Sequence, residues 1–337
     1  MQAQSRAGGR WSLALGASVA AAALAVSACG GSDSSGGSTS SGGSSASSGS
    51  AKNMTLIAGV KGDEFYITMN CGAQAEAKKL GVNLNFQGPD QFDPSLQTPI
   101  VNAVAAKKPD AVLIAPTDTK AMFVPINQLA QNGSKVVLVD TTLDQADMAA
   151  SQISSDNLGG GRAAADALAK LIGGKGKVFV NNVKPGISTT DLRTKGFEQR
   201  AKEIGLTYVG VDYNNDQPEK AAAIVKAQLA KNPDLKGIFA TNLFGAEGSA
   251  SGLREAGKSG VKIVGFDAGP KQVQDLKDGT VQGLIAQKPA QIGSDGVQQA
   301  YNALTGKPVT KKIGTGFVAL TKDNLAENSQ FAYKSSC

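Results

Sequence analysis

Several apolar, β-branched runs of the sequence end in a polar side chain that could bind a ligand. The residues that follow these runs are Asp140, Asn242, Asp267 and Gln287. Such groups are costly to bury without hydrogen-bond partners, and a polyhydroxylated ligand supplies partners for both carboxylates and amides. For any one of them, a helix cap or a turn is the alternative interpretation. Their recurrence at equivalent strand ends favours a binding site.

The residue composition excludes several classes of chemistry. The chain of 337 residues contains no histidine, so a Ser-His-Asp triad, a Cys-His pair and a His-based zinc site are excluded. The formal net charge is +6, and the lysines and arginines are too dispersed for a nucleic-acid footprint. We therefore predict no nucleic-acid partner, and no motif indicates a metal site or a cofactor.

One segment matches the residue pattern of a phosphate-binding loop but not the order of secondary structure that such a loop requires. Gly252–Ser259 fits the pattern G-x4-G-K-S. That motif requires a strand, then the loop, then a helix whose N-terminus meets the phosphate. Here the helix is predicted before the loop, with Gly257 at its end, and the strand after it, over Val261–Phe266. The pattern therefore predicts a helix-to-strand turn.

Residues 1–28 are predicted to be an export signal. Arg6 and Arg10 precede the apolar, Ala-rich segment Trp11–Val26, which is too short to span a membrane comfortably. The segment ends in Val-Ser-Ala-Cys, which resembles the bacterial lipobox, and Cys29 is then the predicted site of lipidation. An ordinary signal peptide followed by an incidental cysteine is the alternative.

Residues 29–50 are predicted to form a flexible tether. They contain 11 Ser and 7 Gly in 22 positions, a composition that cannot bury a core. A globular body on a lipidated tether would work outside the cytoplasmic membrane, anchored to the cell envelope. In an exported chain the other two cysteines, Cys71 and Cys337, permit a disulfide, and two free thiols are the alternative.

The sequence contains an internal repeat. Three pairs of segments match in the same order, at separations of 124, 124 and 127 residues, which indicates a duplication. The pairs are Gly72–Val82 with Gly196–Leu206, Lys108–Asp110 with Asn232–Asp234, and Lys135–Asp140 with Lys262–Asp267.

Each half alternates short β-branched runs with longer segments of helical period. Such helical segments are Phe65–Leu80, Leu96–Lys107 and Ala221–Lys231, with Gln199–Ile204 inside a longer helix. Apolar strands between helices indicate a parallel sheet covered on both faces, so each half is predicted to be a doubly wound α/β lobe. Ligands bind beyond the carboxyl ends of such strands, and two similar lobes would enclose a cleft that closes about a hinge.

From Met54 to about Val318 the chain resembles the type I periplasmic sugar-binding proteins, in the ribose-binding branch. Each match is weak alone, but together they occur in order and at the spacing of that family. The matching stretches are Phe65-Tyr66 with Gly72-Ala73-Gln74, Val137–Asp140, Ser155–Gly160, Arg193–Phe197, Phe239–Asn242, Val264–Asp267 and Ile285–Gln287.

The resemblance implies a role for each candidate site residue. Aromatic rings suit the apolar faces of a sugar, and carboxylate, amide and guanidinium groups suit its hydroxyls. It places Phe65 and Tyr66 over the ring, with Asp63 at a neighbouring position. It places Asp140 on the first lobe, and Arg193, Asn242 and Asp267 on the second lobe, with Gln287 near a hinge crossing.

Three positions depart from the ribose-binding pattern. Asp63 stands where that pattern favours Asn, Thr141 where it has Arg, and Leu243 where it has an acid. The predicted site holds three Asp and one Arg, a balance that suits a neutral monosaccharide or polyol better than a sugar phosphate. Asp216, in the loop after a predicted strand, is a weaker candidate for the site.

The resemblance also implies three chain crossings between the lobes, near Ser155, Gln287 and Gly316. The first lobe would comprise residues 51–154 and 288–316, and the second lobe residues 155–287 and 317–337. The last segment could also return toward the first lobe, and a bond between Cys71 and Cys337 would require that return.

We therefore expect the monomeric solute-binding lipoprotein of an ABC importer, not an enzyme, which delivers a sugar or polyol to a membrane permease. A receptor that feeds a chemotaxis or sensor system is the alternative within the same fold. A glycosidase with Asp140 and Asp267 as paired carboxylates is an alternative of another class. A repressor is disfavoured because the tether stands where a DNA-binding domain would be.

Overall fold

The computed structural model describes residues 51–337. The predicted export signal, the lipidation site Cys29 and the tether lie outside the described residues. Within residues 51–337, no helix is both long and apolar enough to cross a membrane.

The first lobe is built on a six-stranded sheet in which every strand pair is parallel. Its strands are β1 (Asn53–Ile57), β2 (Asn83–Gln87), β3 (Ala111–Ile114), β4 (Lys135–Val139), β5 (Ala149–Ser155) and β11 (Lys312–Thr315), in the order β11-β5-β4-β3-β1-β2. Its helices are α1 (Glu64–Leu80), α2 (Pro94–Ala106), α3 (Phe123–Gln131) and α9 (Pro289–Thr305). The residues of β3 are completely buried, as expected of a central strand covered on both faces.

The second lobe repeats this plan with one difference at its edge. Its strands are β6 (Lys177–Asn182), β7 (Thr207–Tyr213), β8 (Leu235–Ala240), β9 (Lys262–Phe266), β10 (Gly283–Ala286) and β12 (Val318–Leu320), in the order β12-β10-β9-β8-β6-β7. Its helices are α4 (Asn157–Leu171), α5 (Ser188–Glu203), α6 (Pro218–Lys231), α7 (Leu243–Glu255) and α8 (Pro270–Asp278). The edge strand β12 runs antiparallel to β10, whereas the other pairs are parallel.

The chain passes from one sheet to the other at three places. It leaves the first sheet after Ser155, at the end of β5, and leaves the second sheet after Ala286, at the end of β10. It passes back to the second sheet between β11 and β12, where Gly316 lies. The two doubly wound lobes predicted from the repeat are therefore confirmed.

Of the segment 317–337, which is expected in the second lobe, β12 (Val318–Leu320) lies in the second sheet, whereas the end of the chain is bonded to the first lobe. The backbone N–H of Lys334 donates to Thr68 Oγ1 of α1 at 2.7 Å. The structure joins Cys337 to Cys71 of α1 in a disulfide, with the two Cα atoms 5.3 Å apart. The hydrogen bond of Lys334 and the disulfide of Cys337 therefore attach the end of the chain to the first lobe.

Equivalent glycines allow two helices to touch in each lobe. A β-carbon at Gly72 of α1 would overlap the carbonyl oxygen of Ala290 in α9, and one at Gly196 of α5 would overlap that of Leu158 in α4. Gly72 and Gly196 begin the first pair of matching segments in the internal repeat. The repeat therefore preserves the close contact between helix backbones in both lobes.

The segment that resembles a phosphate loop is a turn. Helix α7 ends at Glu255, Gly257 adopts the left-handed conformation with φ of 60°, and β9 begins at Lys262. A glycine with positive φ just after a helix is a common helix stop. No helix N-terminus follows this loop, so it cannot form the phosphate cradle of that motif.

Candidate functional site

The carboxyl ends of the two sheets face one cavity between the lobes. All eight residues expected at the site line the cavity: Asp63, Phe65, Tyr66, Asp140, Arg193, Asn242, Asp267 and Gln287.

The two strand-end aspartates have the same backbone geometry in the two lobes. Asp140 follows β4 with φ of 63°, and Asp267 follows β9 with φ of 77°. Each donates its N–H to the neighbouring strand, Asp140 to the carbonyl of Ile153 at 2.8 Å and Asp267 to that of Ile285 at 2.9 Å. Left-handed backbone is uncommon for residues other than glycine, and it concentrates at functional sites. The repeat thus supplies one carboxylate to the cavity from each lobe in the same way.

Each of these carboxylates accepts a hydrogen bond from a buried tyrosine. Tyr66 Oη donates to Asp140 Oδ2 at 2.8 Å, and Tyr333 Oη donates to Asp267 Oδ1 at 3.0 Å. Asp267 also accepts from Gln287 Nε2 at 2.7 Å and from the N–H of Leu243 at 3.0 Å. Tyr66 therefore fixes a carboxylate as well as presenting a ring, a function that its aromatic character alone does not indicate.

Arg193 lies in α5, is 3% exposed and is held on three sides. Its Nε donates to Asn157 Oδ1 at 2.9 Å, its Nη1 donates to the carbonyl of Thr241 at 2.8 Å, and its guanidinium lies 3.8 Å above the ring centre of Phe266. No hydrogen bond joins its Nη2 to any described residue. The arginine is thus held rigidly with one donor group left for a ligand.

Asp63 and Asn242 combine a helix cap with a place in the cavity. Asp63 Oδ1 accepts from the N–H of Phe65 at 2.8 Å at the start of α1, and Asn242 Oδ1 accepts from the N–H of Gly245 at 3.1 Å at the start of α7. Asn242 Nδ2 donates to Asp216 Oδ1 at 2.6 Å. Each residue therefore both caps a helix and lines the cavity. The helix cap and the place in the cavity, which the sequence offered as alternatives for Asn242, are both correct for that residue.

Burial raises the pKa of all four carboxyl groups in the cavity. It raises the pKa of Asp140 and that of Asp216 to about 6, while the charge of Arg193 opposes the rise at Asp140 and the hydrogen bond from Asn242 opposes it at Asp216. Burial also raises the pKa of Asp63, which Asp267 raises further, and the pKa of Asp267, where Arg193 again opposes the rise. Hydroxyl donors from a ligand would stabilise the charged form of these groups.

Acidification is expected to favour the empty, closed cleft. Because the pKa of Asp140 and Asp216 is raised in the closed form, that form binds more protons than an open form between about pH 4 and 6. The protonated carboxyls therefore favour the closed form over the open form most strongly below about pH 4, and this preference is lost as the pH rises through about 6.

Small-angle X-ray scattering of the ligand-free protein measures this effect. The radius of gyration is expected to be smaller at about pH 5 than at about pH 7.5. A double variant with Asp140→Asn and Asp216→Asn lacks both charges, so its radius is expected to depend less on pH. Equal radii for the unmodified protein at the two pH values would contradict the prediction.

Aromatic rings line one side of the cavity. The rings of Phe65 and Tyr66 meet edge to face with their centres 5.1 Å apart. Phe92, in the loop between β2 and α2, adds a third ring that the sequence did not indicate. Phe92 lies between strand and helix, where no hydrophobic period marks it.

The cavity also contains residues that sequence reasoning missed or ranked low. Asp216, the weaker candidate, lines it and pairs with Asn242. Thr190 Oγ1, in the first turn of α5, is buried without a hydrogen-bond partner among the described residues. Asp216 follows β7 and Thr190 follows β6 along the chain. Because ligands bind beyond the carboxyl ends of parallel strands, the segments after these two strands were places to look for site residues. The residues that were not predicted are Phe92, Val183, Ile187, Thr189 and Thr190.

The loop between β6 and α5 closes the cleft against the first lobe. Lys184 Nζ donates to the carbonyl of Phe92 at 2.7 Å, and the N–H of Thr119 donates to the carbonyl of Gly186 at 3.0 Å. Ser188 Oγ accepts from the N–H of Thr142 at 2.9 Å. These contacts join the lobes on the side of the cavity, so the structure represents the closed form.

Comparison with known proteins gives a consistent result over most of the chain. A family profile described as "Periplasmic binding protein domain" matches residues 54–308. The ribose import binding protein of Escherichia coli K12 is 31% identical over 259 residues, which cover 77% of this chain and 87% of that protein.

Solved structures resemble the whole of the two-lobed body. A crystal structure of an ABC transporter solute-binding protein from Agrobacterium vitis, bound with α-D-tagatopyranose, is 45% identical with a TM-score of 0.82. The match covers 84% of this chain and 99% of that chain. A carbohydrate transporter solute-binding protein from Agrobacterium radiobacter, in complex with D-arabinose, is 29% identical with a TM-score of 0.79, and the match covers 83% and 97% of the two chains. These relatives are binding proteins and not enzymes, so the glycosidase alternative is set aside.

Proposed function

Because the chain belongs to the type I periplasmic sugar-binding proteins, in the ribose-binding branch, we propose that it captures a neutral monosaccharide and delivers it to the permease of an ABC importer. The observation that carries the proposal is the closed cavity, which combines three aromatic rings with four carboxylates and one fixed arginine. Rings cover the apolar faces of a sugar, while carboxylates accept from its hydroxyls. Closure of the lobes would enclose the sugar and present the loaded form to the permease.

A ketohexose in its pyranose form is the first ligand to test. The relative at 45% identity was crystallised with α-D-tagatopyranose, and others were crystallised with D-arabinose and D-fucose. The departures at Asp63, Thr141 and Leu243 argue against ribose itself. Thr141 Oγ1 donates to the carbonyl of Pro116 at 2.7 Å, so it does not supply the donor to a ligand that an arginine would supply.

We place the protein outside the cytoplasmic membrane on a lipid anchor at Cys29. The support is the export signal, the lipobox-like segment and the Ser/Gly-rich tether of the sequence. The disulfide between Cys71 and Cys337 agrees with this location, because such bonds persist in oxidising compartments.

Exposed apolar side chains at the rim of the cleft support delivery to a permease. Leu96 and Val124 lie in the first turns of α2 and α3, and Leu192 lies in the second turn of α5. Tyr213 ends β7. Because helices of parallel sheets begin near the carboxyl ends of the strands, all four lie toward the edge where the lobes face each other, two on each lobe. A permease that reads the closed form would contact both lobes there.

A thermal-shift screen of the purified protein tests the proposal. The panel comprises ketohexoses, aldohexoses, pentoses, deoxy sugars and inositols, and calorimetry follows each hit because the only Trp, Trp11, lies in the predicted signal. A ligand at 100 times its dissociation constant stabilises by about 2.7 kcal/mol. For a folded body of this size we expect a rise in melting temperature of about 4–5 °C.

The same screen contains its own control. Sugar phosphates carry charge that four carboxylates would repel, so the phosphate ester of a bound sugar is expected to give no shift. A flat response to every neutral sugar would overturn the proposal. A stronger response to a sugar phosphate would overturn the assignment of a neutral ligand.

A further inference from the structure

The C-terminal segment 321–337, which we call the strap, contacts both lobes. The N–H of Tyr333 donates to the carbonyl of Ala268 in the second lobe at 2.9 Å. One residue later, Lys334 donates its N–H to Thr68 Oγ1 on α1 of the first lobe at 2.7 Å, and the disulfide from Cys337 to Cys71 secures this end. The strap therefore spans the hinge.

Tyr333 brings the strap into contact with the site residues. Its side chain is 5% exposed, and its ring centre lies 5.9 Å from that of Phe65. Its hydroxyl donates to Asp267 Oδ1 at 3.0 Å and accepts from the N–H of Gln287 at 3.0 Å. Gln287 Nε2 donates to the same oxygen of Asp267 at 2.7 Å, so the three residues form one hydrogen-bonded triangle.

This arrangement repeats the one on the first lobe with a residue from another part of the chain. There Tyr66, next to the site residue Phe65, donates to Asp140. No equivalent tyrosine of the second lobe contacts Asp267, and the donor comes from the strap instead. The strap thus supplies a hydrogen bond that the duplicated halves do not supply by themselves.

We infer that Tyr333 is a positioning residue for ligand binding, which orients Asp267 and Gln287 from behind the cavity, and that the disulfide holds the strap in place for this task. The inference rests on the proposed function, because its effect is on the affinity for a sugar. Tyr333 is absent from the residues that line the cavity and acts through Asp267. A purely space-filling tyrosine would need its ring but not its hydroxyl.

The test compares Tyr333→Phe, which keeps the ring and removes the hydroxyl, with the unmodified protein. The loss of a hydrogen bond to a buried carboxylate predicts an affinity for the best sugar of the screen that is about tenfold to a hundredfold weaker at neutral pH. The matched control is Tyr213→Phe. Tyr213 is exposed at the end of β7, and its hydroxyl forms no hydrogen bond with a described residue.

A pH profile of the affinity separates positioning from packing. Protonation of Asp267 removes an acceptor, so binding weakens on acidification. Without the Tyr333 hydroxyl the charged form of Asp267 loses a donor while Arg193, Asp63 and Asp216 still face it, and the profile is expected to shift to higher pH. An unchanged affinity, or a loss of the same factor at every pH, would overturn the inference.

Removal of the disulfide tests the second part of the inference. The full-length double variant with Cys71→Ser and Cys337→Ser frees the end of the strap but keeps Tyr333. We expect the affinity to fall by about threefold to tenfold at a temperature where circular dichroism shows the variant folded. Affinity equal to that of the unmodified protein would show that the bond does not hold Tyr333 in place.

Hydrogen exchange of the ligand-free protein tests the strap without any sugar. The amide of Gln287 donates to Tyr333 Oη, so its exchange is expected to be faster in Tyr333→Phe and unchanged in Tyr213→Phe. Equal exchange in Tyr333→Phe and the unmodified protein would overturn the inference. If no sugar binds the unmodified protein, the proposed function fails, while this measurement still decides whether Tyr333 fixes Gln287.

Discussion

Replacement of Arg193 with alanine is expected to remove most or all sugar binding. The guanidinium is fixed by Asn157, by the carbonyl of Thr241 and by the ring of Phe266, and it opposes the rise in pKa of Asp140 and Asp267. Truncation of a buried, hydrogen-bonded charge costs about 2–5 kcal/mol, which corresponds to about thirtyfold to several thousandfold in affinity. Titration calorimetry with the best sugar of the screen measures the loss.

Two further arginine variants show whether a loss of affinity in Arg193→Ala is specific to the guanidinium in the cavity. Arg193→Lys retains the charge but lacks the planar fork, so we expect an intermediate loss of affinity. Arg162→Ala removes a surface arginine of α4 that pairs with Glu203, and it is expected to leave affinity unchanged. If Arg193→Ala binds within about threefold of the unmodified protein, the assignment of Arg193 to the ligand site is wrong.

Replacement of Gly72 with alanine is expected to destabilise the first lobe strongly. The new β-carbon would overlap the backbone carbonyl of Ala290, so the clash cannot be relieved by rotation of a side chain. Helix α9 would have to move away from α1, and overpacking of this kind costs about 3 kcal/mol or more. Thermal unfolding measures this as a fall in melting temperature of about 5 °C or more.

Gly62→Ala is the matched control, since a β-carbon at Gly62 meets no atom within 4 Å. Its melting temperature is expected to stay close to that of the unmodified protein. Gly196→Ala, at the equivalent position of the repeat, should destabilise by a similar amount because it faces Leu158 in the same way. A stable Gly72→Ala protein would show that α1 and α9 can separate at little cost.

The internal repeat made the architecture predictable from the sequence. The separation of 127 residues between Asp140 and Asp267 located two strand ends that adopt the same left-handed backbone. Helix boundaries were predictable to within a few residues, as for the helix predicted over Phe65–Leu80 and found over Glu64–Leu80. Local pattern suffices for these features because hydrophobic period and strand ends are properties of neighbouring residues.

Other parts of the site depend on contacts that local pattern does not encode. Phe92 lies in a loop with no periodic signal, and its place in the cavity follows from closure of the lobes. Tyr333 is 66 residues from Asp267, and the repeat does not extend to it. Thr190 is polar in the first turn of a helix, where capping and solvent exposure are the ordinary expectations. Only the fold brings these residues to the strand ends.

The bond between Cys71 and Cys337 also constrains the order of events in biosynthesis. The two cysteines are 266 residues apart, so at about 5–20 residues per second the second thiol is synthesised on the order of ten seconds to a minute after the first. Throughout this interval Cys71 lacks its partner in the native disulfide. The sequence holds three cysteines, and a thioether on Cys29, as we propose, would leave Cys71 and Cys337 as the one possible pair. Lipidation would then protect the fidelity of oxidative folding as well as anchor the protein.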